Sequence, residues 1–263
     1  MNDRPWKIEL GSGNIYILIL TRKDYNPLNY LEWQTTLKPF YNKAHFIIID
    51  IAEKFLQENY NSSFSIKELA KYLYKYLSQN NIVPNMIWGF SMGGMIAQEL
   101  KTYKIYQPIP LLLVSTNLCA TPKLKAIFSN WYLSLKNNGI NDFYQNFYPW
   151  ILFSDKLPIF SLKTPQLENI SSFGVKKLLY SIKSVANHNA CDVIKKNTGK
   201  IVILFGEKSV LLNKEEANLF RQSLPSVQIH SVKNANMRIM NCLDKNTFDI
   251  INNYIDEMVK KNI

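Results

Sequence analysis

Short runs of apolar and β-branched residues, each bounded by turn-forming residues, punctuate the chain. They are IYILIL at 15–20, HFIIID at 45–50, NMIWGF at 85–90, IPLLLVS at 109–115, KIVILFG at 200–206 and SVQIHSV at 226–232. Most are continuously apolar instead of alternating, the pattern of strands buried on both faces of a parallel sheet. Between them the period changes. Ser65 and Glu68 spell a capping box ahead of Ile66, Leu69, Ala70, Leu73 and Leu77, which recur at helical spacing. Asn213 with Glu216 gives a similar start before Ala217, Phe220 and Leu224, and Phe248, Ile251, Ile255 and Met258 line one face of a closing helix. The alternation predicts an α/β fold, a three-layer sandwich on a mostly parallel sheet with right-handed crossovers.

One stretch breaks the rhythm. Between the strand ending near Ser115 and the one starting near Lys200 there is no strand pattern, and aromatics crowd among helical spacings and prolines. They are Phe128, Trp131, Tyr132, Phe143, Tyr144, Phe147, Tyr148, Trp150, Phe153 and Phe160. An insertion this long predicts a helical cap. Its aromatics serve as packing material, and can also line a pocket for an acyl chain or another apolar ligand.

A chain of 263 residues with 47% apolar content can bury one large core, so a single globular domain is expected. The net charge of +11 raises the question of nucleic acid, but the lysines fall singly or in pairs such as Lys176-Lys177 and Lys195-Lys196. No basic stripe with interleaved aromatics, zinc-finger spacing or Gly-rich phosphate loop accompanies them, so no nucleic-acid partner is expected. An acidic partner such as coenzyme A or an acyl carrier protein fits the charge. Cys119, Cys191 and Cys242 are far apart in sequence and lack metal spacing, which suits reduced thiols and a cytoplasmic protein without metal or cofactor. The apolar run at 15–20 is too short for a signal peptide or a membrane span.

The chemistry-bearing segment is MIWGFSMGGMIAQEL, residues 86–100. An apolar strand, then Gly89-Phe90-Ser91-Met92-Gly93-Gly94, then a helix former is the context in which Gly-x-Ser-x-Gly mounts a nucleophilic serine. Small residues flank the serine because its backbone is strained and because strand and helix approach closely there. The helix start offers backbone N–H groups to a developing oxyanion.

With this turn, the inserted cap and the closing strand–helix pair, the chain resembles the α/β-hydrolase fold family over almost its whole length. Within that family it is similar to the small capped esterases and lactonases, including carboxylesterases that cleave pimeloyl-carrier-protein methyl ester. The resemblance implies a core of residues 1–116 and 195–263 with a cap at about 117–194. It places the nucleophile on Ser91, one oxyanion donor on the Met92 N–H and the second on the Lys23 N–H. Thr21-Arg22 stands where the family usually carries His-Gly. The acid position of the turn at Gly206-Glu207 falls on Ser209, and the base position before the last helix falls on Asn236.

Asparagine cannot take a proton from serine near neutral pH, and Ser209 cannot stabilise an imidazolium. Three histidines remain. His45 opens a strand at the far end from the expected site, His230 lies in the last strand, and His188 ends the cap and could look down into the cleft. His188 or His230 is therefore the candidate substitute base. Asp192 reads as a helix-start residue, and Glu207 as the nearest carboxylate to the lost acid. Two functions follow: a serine hydrolase or acyl-transfer enzyme acting on a small ester or thioester through Ser91, or a non-hydrolytic protein of the same fold that binds a ligand or carrier protein or catalyses other chemistry.

Overall fold

The computed structural model describes residues 5–21, 30–152, 171–237, 239 and 245–261. The six apolar runs become strands β2 (Ile15–Leu20), β3 (Ala44–Ile49), β4 (Met86–Phe90), β5 (Leu111–Val114), β6 (Ile201–Gly206) and β7 (Gln228–Val232). All pair in parallel. A seventh strand, β1 (Lys7–Leu10), pairs antiparallel with β3 and completes the order β1-β3-β2-β4-β5-β6-β7. The apolar pattern did not reveal β1. It has four residues, and its outward face carries Lys7 and Glu9, which bond to each other at 2.8 Å.

Both faces of the sheet are covered, as the continuous apolar runs require. Leu18, Ile47, Ile87, Leu113 and Ile203 face α2 (Ile51–Glu58), α3 (Ile66–Gln79) and α4 (Met92–Glu99). Ile17, Ile48, Trp88, Leu112 and Val202 face α1 (Tyr30–Leu37) and α10 (Lys245–Lys261). The Ser65–Glu68 capping box forms in both directions, with Glu68 N–H donating to Ser65 Oγ at 3.2 Å and Ser65 N–H to Glu68 Oε2 at 2.7 Å. Asn213 and Glu216 make the same reciprocal cap at the start of α9 (Lys214–Ser223). No helix among the described residues is long and apolar enough to cross a membrane.

Between β5 and β6 the described chain is helical: α5 (Pro122–Asn138), α6 (Ile140–Leu152), α7 (Ser172–Ala186) and α8 (Cys191–Ile194). Phe153 and Phe160 lie outside the described residues. The remaining aromatics of this insertion largely pack on each other. Trp131 meets the edge of Phe147 at 4.9 Å between ring centres, and Phe143 stacks on Phe147 at 5.1 Å. The α5–α6 junction turns at Gly139, with φ 87°, and is tied by Asp142, which accepts from Ser134 Oγ and Asn138 Nδ2. One buried ionic contact fastens the insertion to the sheet layer. Lys177 of α7 reaches Asp50 Oδ2 at 2.5 Å and Glu53 Oε2 at 2.8 Å, with all three side chains at most 5% exposed.

Candidate active site

Ser91 stands between β4 and α4 with φ 48° and ψ −119°. A side chain at positive φ is strained, at roughly 1–3 kcal/mol, and persists only where its surroundings dictate it. Here they do. Ser91 N–H donates to the Val114 carbonyl at 3.0 Å, and the Ser91 carbonyl accepts from Thr116 Oγ1 at 2.7 Å and Gly94 N–H at 3.0 Å. Strand and helix nearly touch across the turn, since a Cβ on Gly89 would lie 2.5 Å from Gly94 Cα. The first turn of α4 also rides over the end of β2, where a Cβ on Gly93 would lie 2.0 Å from the Leu20 carbonyl oxygen. Met92 is fully buried as the first residue of α4, and its N–H belongs to the first-turn donors without a partner inside the helix. Lys23 lies outside the described residues. The chain leaves β2 through buried Thr21, whose N–H donates to the Ile49 carbonyl at 3.2 Å.

The turns after β5, β6 and β7 are laced together at the same end of the sheet. Glu207 N–H donates to Val232 O at 3.0 Å, and Lys208 N–H to Ala235 O at 2.9 Å. The main chain of Asn236 presses on the end of β6, since a Cβ on Gly206 would lie 2.0 Å from the Asn236 carbonyl oxygen. Ser115 Oγ donates to Met237 O at 2.8 Å and links this turn to β5. Ser209 is buried, and its hydroxyl is engaged locally, accepting from Leu212 N–H at 3.1 Å. The Glu207 carboxylate accepts from Asn234 N–H at 3.1 Å, within the turns themselves.

The histidines lie elsewhere. His188 is 4% exposed, with Nε2 facing Gln98 Oε1 at 3.4 Å and Nδ1 at 3.9 Å from Glu99 Oε1. Gln98 and Glu99 close α4, roughly 10 Å along the helix axis from its start at Ser91. His188 is therefore sealed against the far end of the helix and does not look into the cleft. Burial, with Lys67 adding repulsion, pulls its imidazole down to about 3. His230 is level with Phe90 through Val114 and Leu204, which puts it three strands away, at roughly 14 Å by strand spacing. Its imidazole is lowered by burial first and by Lys200 second. His45 contacts Glu9 at 3.2 Å near the start of β3. Among the described residues no imidazole hydrogen-bonds Ser91, and no cluster of His, Cys, Asp and Glu is placed to hold a metal. Asp192 is on the surface of α8, paired with Lys195 at 3.0 Å.

Two features escaped the sequence reading. The Lys177–Asp50–Glu53 contact was half visible, because Asp50 caps α2 by accepting from Glu53 N–H at 3.0 Å, an Asp-x-x-Glu pattern. Nothing in the sequence marked Lys177 as their counter-ion. Thr116, which holds the Ser91 carbonyl, carried no signal.

Comparison with known structures gives the fold. MGS-M2, an α/β-hydrolase enzyme from a Medee basin deep-sea metagenome library, is similar at a TM-score of 0.71 and 15% identity, with 97% of this chain and 92% of that one covered. MenH from S. aureus is similar at a TM-score of 0.69 and 17% identity, covering 97% and 99%. A thermophilic esterase from Thermogutta terrifontis is similar at 0.69 and 14% identity, covering 96% and 93%. Comparisons with protein-family models and with curated protein sequences find no match. The chain has the α/β-hydrolase fold: a seven-stranded, mostly parallel sheet with helices on both sides.

Proposed function

We propose that this α/β-hydrolase-fold chain binds a small ester or acyl compound over Ser91, beneath the helical insertion as a cap, and does not cleave it through a serine–imidazole–carboxylate relay. The observation that carries this reading is the location of all three histidines, with His188 against Gln98 and Glu99, His230 on the outer strand and His45 beside Glu9. A positioned base contributes about 10²- to 10⁴-fold to such chemistry, and the Asn236 amide can hold a hydrogen bond but not take the proton. The esterases among the structural neighbours support an ester or acyl ligand. The neighbours compared above give no support for an acyl carrier protein as partner.

A second reading rests on the strained backbone at Ser91, which is retained with the close glycine contacts around it. In it, Ser91 Oγ attacks an ester or thioester carbonyl, the oxyanion faces the N–H groups of Met92 and Lys23, and the leaving alcohol or thiol carries away the serine proton. Labelling with a fluorophosphonate probe, read by intact mass on the wild type, Ser91→Ala and Asn236→His, separates the two. The first reading expects no stoichiometric labelling of the folded wild type. Full labelling of the wild type that vanishes in Ser91→Ala overturns it in favour of the second.

A further inference from the structure

Two cysteines separated by the whole helical insertion meet at its root. Ala120 N–H donates to His188 O at 2.9 Å and Ala190 N–H to Leu118 O at 3.0 Å, which makes Cys119 and Asn189 a facing antiparallel pair. This hydrogen-bond arrangement belongs to the closely spaced kind of pair, with Cα atoms about 4.5 Å apart. Asn189 Oδ1 then accepts from Cys191 N–H at 3.1 Å as the chain turns into α8. That turn brings Cys191 back beside Cys119, close enough for the two thiols to influence each other. Both thiols are free and half-buried.

We propose that Cys119 and Cys191 are a reversible disulfide site that locks the two ends of the insertion together when a peroxide is present. Burial first, and then the neighbouring Cys191, push the Cys119 thiol up to about 11, and in this scheme Cys191 meets the oxidant. The Cys191 sulfur attacks a peroxide oxygen, the O–O bond breaks, and a sulfenic acid forms with loss of one water. The Cys119 sulfur then attacks the Cys191 sulfur, the S–S bond forms as the S–O bond breaks, and the Cys119 proton leaves with the hydroxyl as a second water. Two thiols are oxidised by two electrons and hydrogen peroxide is reduced to two waters. A dithiol reductant reverses the bond by exchange.

The lock bears on the candidate site because the root rests on α4. Gln98 Nε2 donates to the Asn117 carbonyl at 3.1 Å, and His188 faces the same Gln98. Bridging 119 to 191 braces the helix that begins beside Ser91.

The test uses the full chain with Cys242→Ser, since Cys242 lies outside the described residues and would otherwise confuse the count. The folded protein is treated with hydrogen peroxide, remaining thiols are capped with iodoacetamide, and intact mass and peptide maps are read. Expected are the loss of two hydrogens, no alkylation and one cross-linked peptide pair joining 119 to 191. Closing a loop of roughly 70 residues should also raise the Tm by about 5–10 °C, reversed by dithiothreitol. Two alkylated thiols, separate over-oxidised sulfurs, or cross-links only between molecules would overturn the proposal. A cross-link that changes neither the Tm nor the amide exchange of Ala120 and Ala190 would overturn the bracing. Cys119→Ser and Cys191→Ser should each abolish the cross-link.

Discussion

Gly93 lies against the carbonyl of Leu20, so closely that a Cβ on Gly93 would stand 2.0 Å from that oxygen and 2.9 Å from the Thr21 nitrogen. This contact seats the first turn of α4 on the end of β2. The obstacles are main-chain atoms, which cannot rotate away. Gly93→Ala should cost about 3 kcal/mol in urea unfolding, above the usual range for surface changes, and a loss under 1 kcal/mol would refute the close approach.

Ser91 is the second place where backbone geometry sets a measurable cost. At φ 48° and ψ −119°, glycine is at ease where serine is strained. Ser91→Gly should therefore stabilise the fold by about 1 kcal/mol after its own entropic cost, a rise of roughly 2–4 °C in Tm. Ser91→Ala keeps the strain and should leave the Tm nearly unchanged. Equal melting of all three proteins would argue against a strained serine.

Lys177 supplies the counter-charge for two buried carboxylates, Asp50 and Glu53. Removing it alone takes this cation from both buried carboxylates, so Lys177→Met should cost about 3–5 kcal/mol. The triple variant Lys177→Met, Asp50→Asn, Glu53→Gln should recover most of that, because an asparagine in place of Asp50 still caps α2. Hydrogen exchange should report faster opening of α7 in the single variant and slower opening in the triple. Recovery in neither measurement would mean that α7 is held by packing alone.

His188 makes stability depend on acid. Its imidazole is held down to about 3 in the folded chain, by burial first and Lys67 second, against 6.5 when unfolded. Between these values the unfolded chain binds the proton that the folded chain refuses. Stability therefore rises with pH across the window and is lost as pH falls from about 6.5 toward 3, at up to ~1.4 kcal/mol per unit and about 2 kcal/mol by pH 5. Glu99, raised by its own burial, acts in the opposite sense in acid. The measurement is thus a comparison: urea unfolding at pH 7, 6 and 5 should fall more steeply in the wild type than in His188→Gln. Parallel slopes would show that His188 does not titrate in this way.

Much of the fold was legible because burial on both faces writes itself into sequence. Ile15–Leu20 and Ile201–Gly206 could hardly be anything but inner strands, and Ser65–Glu68 announced a helix start that local hydrogen bonds alone can make. Lys7–Leu10 was not legible, because an outer strand of four residues owes its existence to its partner β3 and carries too few apolar positions to show a period. The site divided along the same line. The turn at Ser91 was readable, since its glycines are local requirements. The burial of His188 against Gln98 and Glu99, the meeting of Cys119 with Cys191, and the pairing of Lys177 with Asp50 and Glu53 join residues distant in sequence. No local pattern encodes such contacts, which is why sequence alone left His188 and His230 both open as candidate bases.

The turn that carries Asn236 is shaped by main-chain atoms: its carbonyls press on Gly206, accept from Lys208 and from Ser115, and follow a left-handed Asn234. Position 236 therefore sits in a turn located by backbone contacts to β5 and β6. Those contacts are made by backbone atoms of the turn, so they do not depend on which side chain position 236 carries.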